Sequence, residues 1–294
     1  MNWDDLRFFL AAARTGKLTD AGRQLGVDHA TVSRRLRGLE TSLSTTLFER
    51  KPTGHTLTEA GHELLAWSER VETNIESVRE KISGGHRELT GPVRVAVPEG
   101  AGAFLVTGAA QSLCEDHPKL EVQLLANAQN YSLAKREADF KVAVSRPKNG
   151  RLKVQKISDY KLHLYGHKSY LAKFDTVRCK DDIKAMRGIA YVPNLIPDPE
   201  LDYVSEIDPE FSPHLTSTSV HVQAAAIRQG AGVGMMHDFM AANDANLVRV
   251  LPDEISLTRT FWGIVHEDYA DLERIRTVSS KIVEAMRKAL KEIR

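Results

Sequence analysis

The 294-residue chain has only two cysteines and no long apolar segment, and each absence excludes a class of protein. Cys114 and Cys179 cannot form a disulfide framework, and neither lies in the CxxC spacing typical of metal or redox sites. The longest apolar run near the start, FFLAAA at residues 8–13, is far shorter than the ~20 residues of a membrane-spanning helix. Two aspartates precede this run, which is not typical of a signal peptide. We therefore expect a cytoplasmic location.

Net charge is also small overall, at +1, but it is unevenly distributed along the chain. Residues 1–57 carry nine Lys or Arg against six Asp or Glu, whereas residues 58–90 carry four against seven. The positive excess concentrates at residues 34–37 and 50–51. A charge run usually marks a solvated helix face, so its meaning depends on the pattern around it.

The first 57 residues have the spacing of three short helices. The first helix ends at Gly16, and the second is expected to begin at Thr19, whose hydroxyl can cap it, and to end at Gly26. Asp28 is a suitable N-cap for a third helix, whose apolar stripe comprises Val32, Leu36, Leu39 and Leu43. Two helices joined by a glycine-containing turn form a helix-turn-helix, in which the second of them enters the major groove of DNA.

A basic hairpin follows the third helix. The segment LFERKPTGHTL turns at residues 52–54, which predicts a two-stranded ribbon with Arg50, Lys51 and His55 near its tip. Such a ribbon can reach the DNA backbone or minor groove beside a recognition helix. His29, Thr31, Ser33, Arg34 and Arg37 lie off the apolar stripe of that helix, where arginine can read guanine edges. The alternative is a small helical subdomain whose arginines only increase solubility.

The segments FFLAAARTG, ATVSRRLRGLE, LFER and LTEAG, taken in this order, resemble the amino terminus of LysR-type transcriptional regulators. The resemblance implies DNA contacts by Thr31, Ser33, Arg34, Arg35 and Arg50. The complete set of candidate DNA-contacting residues is Thr19, His29, Thr31, Ser33, Arg34, Arg35, Arg37, Arg50, Lys51 and His55. We assign residues 1–58 to this winged helix-turn-helix domain.

A connecting helix is predicted from Thr58, a capping residue, to about Ser83. Its apolar positions follow an a/d seam in which Ser68 fills one polar slot: Leu64, Val71, Ile75, Val78 and Ile82. Nothing in the first 57 residues is large enough to bury a whole side of this helix. The simplest way to bury this apolar seam is to pack it against the same helix of a second copy, which predicts a coiled-coil-like homodimer. The alternative is that the helix packs on the chain's own carboxyl-terminal part. In the LysR family this segment, here 59–90, is the linker helix, and dimers commonly pair into tetramers.

After residue 91, strand-like and helix-like segments alternate, which predicts an α/β domain with a largely parallel sheet. VRVAV, LEVQLLA and FKVAVS form one set of strands, and KLHLYG, GIAYV, GVGMM and TFWGIV form a second. Helices are predicted over 103–116, around 133–137, near 169–173, over 220–229 and from Asp271 onward. The inner side of the last helix is predicted to carry Leu272, Ile275, Val278, Ile282, Met286 and Leu290.

This part resembles the effector domain of the LysR family through VRVAVPEG, EDHPKLEVQL, KREADFKVAVSRP and IRQGAGVGMM. The resemblance implies the two-lobed fold of periplasmic binding proteins, with one lobe at about 91–160 plus 264–294 and the other at 161–263. It also implies a small-molecule effector held between the lobes by Pro98, Glu99, Gly100, Ala101, Gly102, Asn127, Gln129, Ser145, Arg146, Pro193, Ile196, Thr218, Ser219, Met236 and His237. Many relatives have Ser or Thr after the first strand to hold an effector carboxylate, whereas this chain has Glu99. Either that rule fails here, or the amides of Gly100–Gly102 and Arg146 hold the carboxylate.

Other functions are less well supported. GAGVG at 230–234 follows a helix and precedes a strand, the reverse of the order in a dinucleotide-binding loop. His163 and His167 lack a Cys or carboxylate that would complete a metal site, and no GxSxG, HExxH or GxxxxGK[ST] motif is present. We therefore expect no cofactor, no metal and no enzyme activity. The expected function is a ligand-responsive LysR-type regulator that binds double-stranded DNA as a dimer or tetramer. A ligand-independent repressor with a C-terminal oligomerisation domain is the alternative.

Overall fold

The computed structural model describes residues 2–51, 54–82, 89–126, 131–133, 137–196, 198–208 and 211–293. The chain forms two compact units, Met1–His86 and Arg87–Arg294. Across the described residues, no helix has the length and apolarity needed to cross a membrane.

The amino-terminal unit contains four helices and one hairpin. In chain order they are α1 (Trp3–Thr15), α2 (Leu18–Leu25), α3 (His29–Leu43), β1 (Phe48–Lys51), β2 (Gly54–Leu57) and α4 (Glu59–Ile82). The three predicted helices, the hairpin and the connecting helix are therefore all present. The expected cap at Thr19 is wrong: α2 begins one residue earlier, after Lys17, and its N-cap makes no side-chain hydrogen bond.

The turn between α2 and α3 depends on a close backbone approach. Gly22 lies where a Cβ atom would come within 2.7 Å of the Val27 carbonyl oxygen, and the Val27 amide donates to the Gly22 carbonyl. Gly26 ends α2 at a φ of 70°, a left-handed conformation that favours glycine. Asp28 then caps α3, as predicted, because its Oδ1 accepts from the Thr31 amide at 2.6 Å. This hydrogen bond lowers the pKa of the Asp28 carboxyl.

The hairpin and α4 are fixed to the end of α3. Glu40 Oε1 accepts from the amides of Leu47 and Phe48, at 2.8 and 3.3 Å. Thr58 caps α4 as predicted, since its Oγ1 accepts from the Gly61 amide at 3.0 Å and donates to a backbone oxygen at 2.7 Å. These hydrogen bonds therefore fix the positions at which the hairpin and α4 begin relative to α3.

The helix α1 covers the amino-terminal part of α4. Leu64 packs against the core of the unit, Ser68 is buried, and Arg14 pairs with Glu72 at 2.6 Å. Further along α4, Val78 is 53% exposed. One part of the predicted apolar seam is therefore used inside the unit, and Val78 remains on its surface.

The carboxyl-terminal unit is built on one mixed sheet. Its strands are β3 (Gly91–Val97), β4 (Leu120–Ala126), β5 (Phe140–Ala143), β6 (Leu152–His167), β7 (Gly188–Ala190), β8 (Pro213–Thr216), β9 (Val233–His237), β10 (Leu247–Val250) and β11 (Ser256–His266). The order is β4-β3-β5-β11-β6-β9-β7-β8, with β10 also paired to β6. A largely parallel sheet was expected, but β6 and β11 are antiparallel to each other and to the strands beside them. Strand β6 also begins nine residues before the predicted segment KLHLYG.

Helices alternate with these strands along the chain and pack on the sheet. They are α5 (Glu99–Ala101), a π-helical turn (Gly102–Val106), α6 (Thr107–Asp116), α7 (Lys168–Leu171), α8 (Lys180–Ile183), α9 (Val204–Ile207), α10 (Val220–Arg228), α11 (Asp238–Ala241) and α12 (Glu273–Glu292). The helix expected at 103–116 begins at Glu99 instead, so Gly100–Gly102 form helical turns. All six residues predicted for the inner side of the last helix are buried. The helix expected around 133–137 falls largely on residues 134–136, outside the described ranges.

A buried aromatic cluster lies where β6, β9 and β11 meet. The Tyr160 ring stacks on Phe261 at 4.0 Å between centroids and on His237 at 5.5 Å. His237 also contacts Phe239 at 4.9 Å and the edge of Tyr203 at 6.4 Å. Burial among these rings lowers the pKa of His237 to about 4 because the charged imidazolium would lose its hydration.

Replacement of Gly22 tests the turn between α2 and α3. We expect Gly22→Ala to lower the free energy of unfolding by about 1–3 kcal/mol, because the new methyl group meets a backbone oxygen. Gly38→Ala is the matched control: no atom lies within 4 Å of its added Cβ, and removing a helical glycine should stabilise by about 0.5–1 kcal/mol. Urea unfolding followed by circular dichroism measures both. Equal effects of the two substitutions would contradict the close approach.

Protonation of His237 should make stability fall in acid. Its folded pKa lies below that of the unfolded chain, so the unfolded state binds the proton first as the pH drops through about 6.5 toward 4. The resulting loss of unfolding free energy is at most about 1.4 kcal/mol per pH unit, or about 2 kcal/mol at pH 5. The difference in unfolding free energy between pH 7 and pH 5 should therefore be smaller in His237→Phe and His237→Gln than in the unsubstituted chain. The same difference in all three proteins would show that His237 is not the responsible group.

Candidate functional sites

The exposed face of α3 presents most of the predicted DNA-contacting side chains. His29, Arg34 and Arg37 are exposed, and Thr31 and Ser33 are half-buried beside them. The Arg37 Nε–H lies 3.4 Å from the Ser33 carbonyl oxygen, along the helix surface. Over the described ranges, no ion pair of the structure involves Arg34. This arginine is therefore available to an external acceptor such as a base edge or a phosphate.

Arg35 occupies a different environment from Arg34. Its guanidinium forms ion pairs with Asp5 at 3.1 Å and Asp4 at 3.4 Å, and it lies 5.4 Å from the centroid of the Phe8 ring. All three partners belong to α1. The DNA contact expected of Arg35 competes with these bonds, so Arg35 fixes α3 against α1 and is a weaker candidate for base reading than Arg34.

The wing is held against the turn between α1 and α2. Arg50 pairs with His55 in the ladder of β1 and β2, and Lys51 pairs with Gly54. The His55 amide donates to the Gly16 carbonyl at 2.9 Å. The imidazole ring of His55 lies edge-on to the Phe48 ring, with 6.3 Å between the ring centroids. The side chains of Arg50 and Lys51 lie outside the described part of the chain. Thr19 is exposed on α2.

In the carboxyl-terminal unit, Glu99 joins the two predicted lobes. Its carboxylate accepts from Ser219 Oγ at 2.8 Å and from the Val220 amide at 3.1 Å. These donors form the amino terminus of α10, where the helix dipole favours negative charge. Gly102 donates its amide to the Pro98 carbonyl at 2.8 Å, and a Cβ on Gly100 would come within 3.0 Å of Met240 Sδ. In this structure the amide of Gly102 is therefore engaged within its own helical turn.

A second carboxylate joins the predicted lobes through Ser145. Ser145 Oγ lies 2.6 and 2.7 Å from the two oxygens of Asp198, and the Glu200 amide donates to the same carboxylate at 3.0 Å. Asp198 is only 7% exposed. The Arg146 guanidinium lies 5.4 Å from the centroid of the Trp262 ring on β11, and its expected bond to an effector carboxylate stays a prediction.

A cavity of about 430 Å³, within the size range of small-molecule sites, is lined entirely by residues of the predicted lobe 161–263. Pro193 and Ile196, two of the predicted effector residues, contribute to its wall together with Ile189, Tyr191, Tyr203 and Met235. Met236 is packed in the core, and Thr218 is exposed. Asn127 and Gln129 lie outside the described residues.

Three polar atoms of the aromatic cluster are buried without a hydrogen-bond partner in the part of the chain that the structure describes. They are Tyr203 Oη, Tyr160 Oη and His237 Nδ1. Buried polar atoms are nearly always hydrogen-bonded in folded proteins, so such a group marks a place for a water or a ligand. Burial raises the pKa of both tyrosines and lowers that of His237, so all three groups are uncharged at neutral pH. Sequence reasoning missed Asp198, Tyr160 and Tyr203, because no local motif distinguishes them.

Comparisons with known proteins agree with this division into two sites. A family model described as "Bacterial regulatory helix-turn-helix protein, lysR family" matches residues 3–62, and "LysR substrate binding domain" matches residues 86–287. CrgA, an HTH-type transcriptional regulator of Neisseria meningitidis serogroup C, is 22% identical over 97% of both chains. The Mau operon transcriptional activator of Paracoccus denitrificans is 24% identical over 95% of both.

Solved structures share the fold. Full-length OxyR from Pseudomonas aeruginosa aligns with a TM-score of 0.76 at 17% identity, over 96% of this chain and 94% of that one. Full-length LysG from Corynebacterium glutamicum, solved with its bound effector arginine, aligns with a TM-score of 0.66 at 18% identity, over 99% of both chains. The chain belongs to the LysR-type transcriptional regulators, which bind DNA through the helix-turn-helix and a small-molecule effector through the carboxyl-terminal domain.

Proposed function

We propose that this regulator reads its operator through α3 and the wing, as a dimer or a dimer of dimers. The single observation that carries this proposal is the exposed face of α3, where Arg34 and Arg37 lie beside Thr31 and Ser33. Arginine can bond guanine bidentately in the major groove, while short hydroxyl side chains bind phosphates or base edges. Two such faces reach half-sites about one helical turn, ~34 Å, apart when two copies associate.

The self-association that we propose uses α4. Residues 59–90 would then form the linker, between a DNA-binding domain at 1–58 and an effector domain at 91–294. Val78 supports this assignment because it is a large apolar side chain, more than half exposed, on the predicted seam. A second copy of α4, packed against the first in a parallel or antiparallel coiled coil, would bury this side chain.

For the carboxyl-terminal unit, we propose control by an effector between lobes 91–160 plus 264–294 and 161–263. The contacts of Glu99 and Asp198 each join one predicted lobe to the other, which supports a relation between the lobes that a ligand can change. A ligand that binds one arrangement of the lobes more tightly than another shifts the population toward it. We also propose that the protein has no enzyme activity. We further propose that it is located in the cytoplasm, where bacterial DNA is read.

Arg34→Ala tests base reading by α3. We expect specific operator binding to weaken by about 1–3 kcal/mol, because a bidentate contact to one base pair is lost. Arg7→Ala removes the same charge from α1, where Arg7 is exposed and pairs with Asp4, and serves as the control. Affinity for an operator found by footprinting and for random duplex should be measured for each. An unchanged ratio of the two affinities in Arg34→Ala would rule out this residue as a base reader.

Lys51→Ala tests the wing. A lysine that contacts a phosphate adds affinity irrespective of sequence, so all duplexes should bind more weakly to about the same extent. The slope of log affinity against log salt should decrease by about one counterion. Fluorescence anisotropy at several salt concentrations measures both quantities. A loss confined to the operator would assign Lys51 to base recognition instead.

Val78→Glu tests the seam of α4. A charge at this position should repel its counterpart in a second copy and shift the chain toward monomer at micromolar concentration. His62→Glu introduces the same charge at an exposed position of α4 off the predicted seam, and should leave the mass unchanged. Light scattering coupled to gel filtration gives the masses. If Val78→Glu remains as large as the unsubstituted protein, the seam does not lie at the interface.

A further inference from the structure

Glu99 links the two predicted lobes through both oxygens of its carboxylate. Oε1 accepts from the Ser219 hydroxyl at 2.8 Å, and Oε2 accepts from the Val220 amide at 3.1 Å. These donors follow Glu99 by 120 and 121 residues in the chain, and they begin α10, a helix of nine residues. Glu99 lies in the predicted lobe 91–160, and α10 lies in the predicted lobe 161–263. The carboxylate is therefore bound by the opposite lobe.

The half-buried carboxylate of Glu99 is stabilised without a cation. Within the part of the chain that the structure describes, it forms no ion pair, and its hydrogen bonds come from the Ser219 hydroxyl and the Val220 amide. At the amino terminus of a helix, the free amides and the helix dipole favour a negative charge. Such donors bind the carboxylate of a free molecule as well as one that belongs to the chain. The opposite lobe thus provides a carboxylate site, and Glu99 is its occupant.

Packing around this carboxylate brings the turn after β3 close to the opposite lobe. A Cβ atom added to Gly100 would come within 3.0 Å of Met240 Sδ on α11. The Phe104 ring stacks on the His221 imidazole of α10, with 5.9 Å between the ring centroids. The turn after β3 therefore packs on both α10 and α11, and the Glu99 carboxylate is the charged member of this contact.

We propose that Glu99 is an internal ligand, which occupies a carboxylate site on the opposite lobe and excludes free carboxylates from that site. Glu99 then determines effector specificity, because an external carboxylate binds at this position only if it displaces Glu99. Two carboxylates that share the same donors would repel each other, most strongly where water is excluded. The inference rests on the proposed effector control, in which the relation between the predicted lobes sets the state of the regulator.

Glu99→Ala tests the inference because it removes a defined fragment of the side chain. The substitution deletes Cγ, Cδ and both carboxylate oxygens, which correspond to the heavy atoms of acetate. The Ser219 hydroxyl and the Val220 amide then lose their acceptor, beside a space in which acetate fits. We therefore expect acetate to bind Glu99→Ala at least about tenfold more tightly than the unsubstituted chain. Acetate at tens of millimolar should also raise the unfolding temperature of Glu99→Ala.

Thermal unfolding and isothermal titration of the full chain measure this binding, with acetate exchanged for chloride at constant ionic strength. Acetamide, the uncharged counterpart of acetate, should have no effect. Glu99→Gln fills the same space without a charge, so it should not respond to acetate. When Ser219→Ala is combined with Glu99→Ala, one donor is missing, and acetate affinity should fall by at least about fivefold. Glu99→Ser replaces Glu99→Ala in all of these measurements if Glu99→Ala does not fold.

Operator binding distinguishes a link between the lobes from a local helix cap. Asp182→Ala is the matched control, because the Asp182 carboxylate accepts from the amides of Arg178 and Cys179, at 2.7 and 3.0 Å, inside the predicted lobe 161–263. We expect Glu99→Ala to change operator affinity by at least about fivefold, the lower end of typical coupling between sites. Acetate should reverse this change, and Asp182→Ala should leave operator affinity unaltered.

The possible outcomes separate this inference from the proposed function. If acetate stabilises the unsubstituted chain as much as Glu99→Ala, Glu99 does not exclude carboxylates, and the inference is overturned. It is also overturned if folded Glu99→Ala does not respond to acetate. If acetate stabilises Glu99→Ala while operator affinity stays the same in every variant, the carboxylate site is supported, and effector control through the lobes is contradicted. Operator recognition by α3 is unaffected by each of these results.

Discussion

In the carboxyl-terminal unit, the relation between the two predicted lobes depends on two carboxylates, one half-buried and one buried. Each accepts hydrogen bonds from donors on the opposite predicted lobe. Glu99 caps α10 from outside its own helix, and Asp198 receives the Ser145 hydroxyl. Hydrogen bonds to an ionised acceptor are about twice as strong as neutral ones, and removing one partner leaves the other buried and unsatisfied. The relation between the two predicted lobes is therefore specified by charge as well as by packing.

The amino-terminal unit uses a different constraint, which is the close approach of backbone to backbone. Gly22 permits the turn into α3, and Glu40 and Thr58 fix the strand and helix that follow. Arg35 adds an ion pair to the acidic start of α1. These contacts orient α3 so that the neighbouring Arg34 remains free of ion pairs within the described residues. Adjacent arginines of one helix thus serve different purposes, one structural and one directed outward.

Sequence reasoning succeeded where the determinants are local. The Asp28 cap, the stripe of Val32, Leu36 and Leu39, and the inner face of α12 all follow from residues three or four positions apart. It failed where the partner is distant: Glu99 is 120 residues from Ser219, and Arg35 is 30 residues from Asp5. It also missed the start of β6, because LKVQKISDY alternates without a strongly apolar face at that end. The cavity could not be predicted at all, since Tyr203 and Met235 come together only through the sheet.

The length of β6 and β11 has a mechanical consequence. The two strands pair from Ser256 with His163 to His266 with Leu152, so one ladder crosses the predicted boundary between the lobes without a loop. A loop hinge would let the lobes separate by a large angle, whereas a hydrogen-bonded ribbon yields mainly by twisting. The ladder's register shifts between Phe261 and Trp262, directly beside the Tyr160 ring, and a bulge locally increases twist. We therefore expect the two ends of this ladder to move relative to each other by a small twist, centred on the irregular pair beside Tyr160.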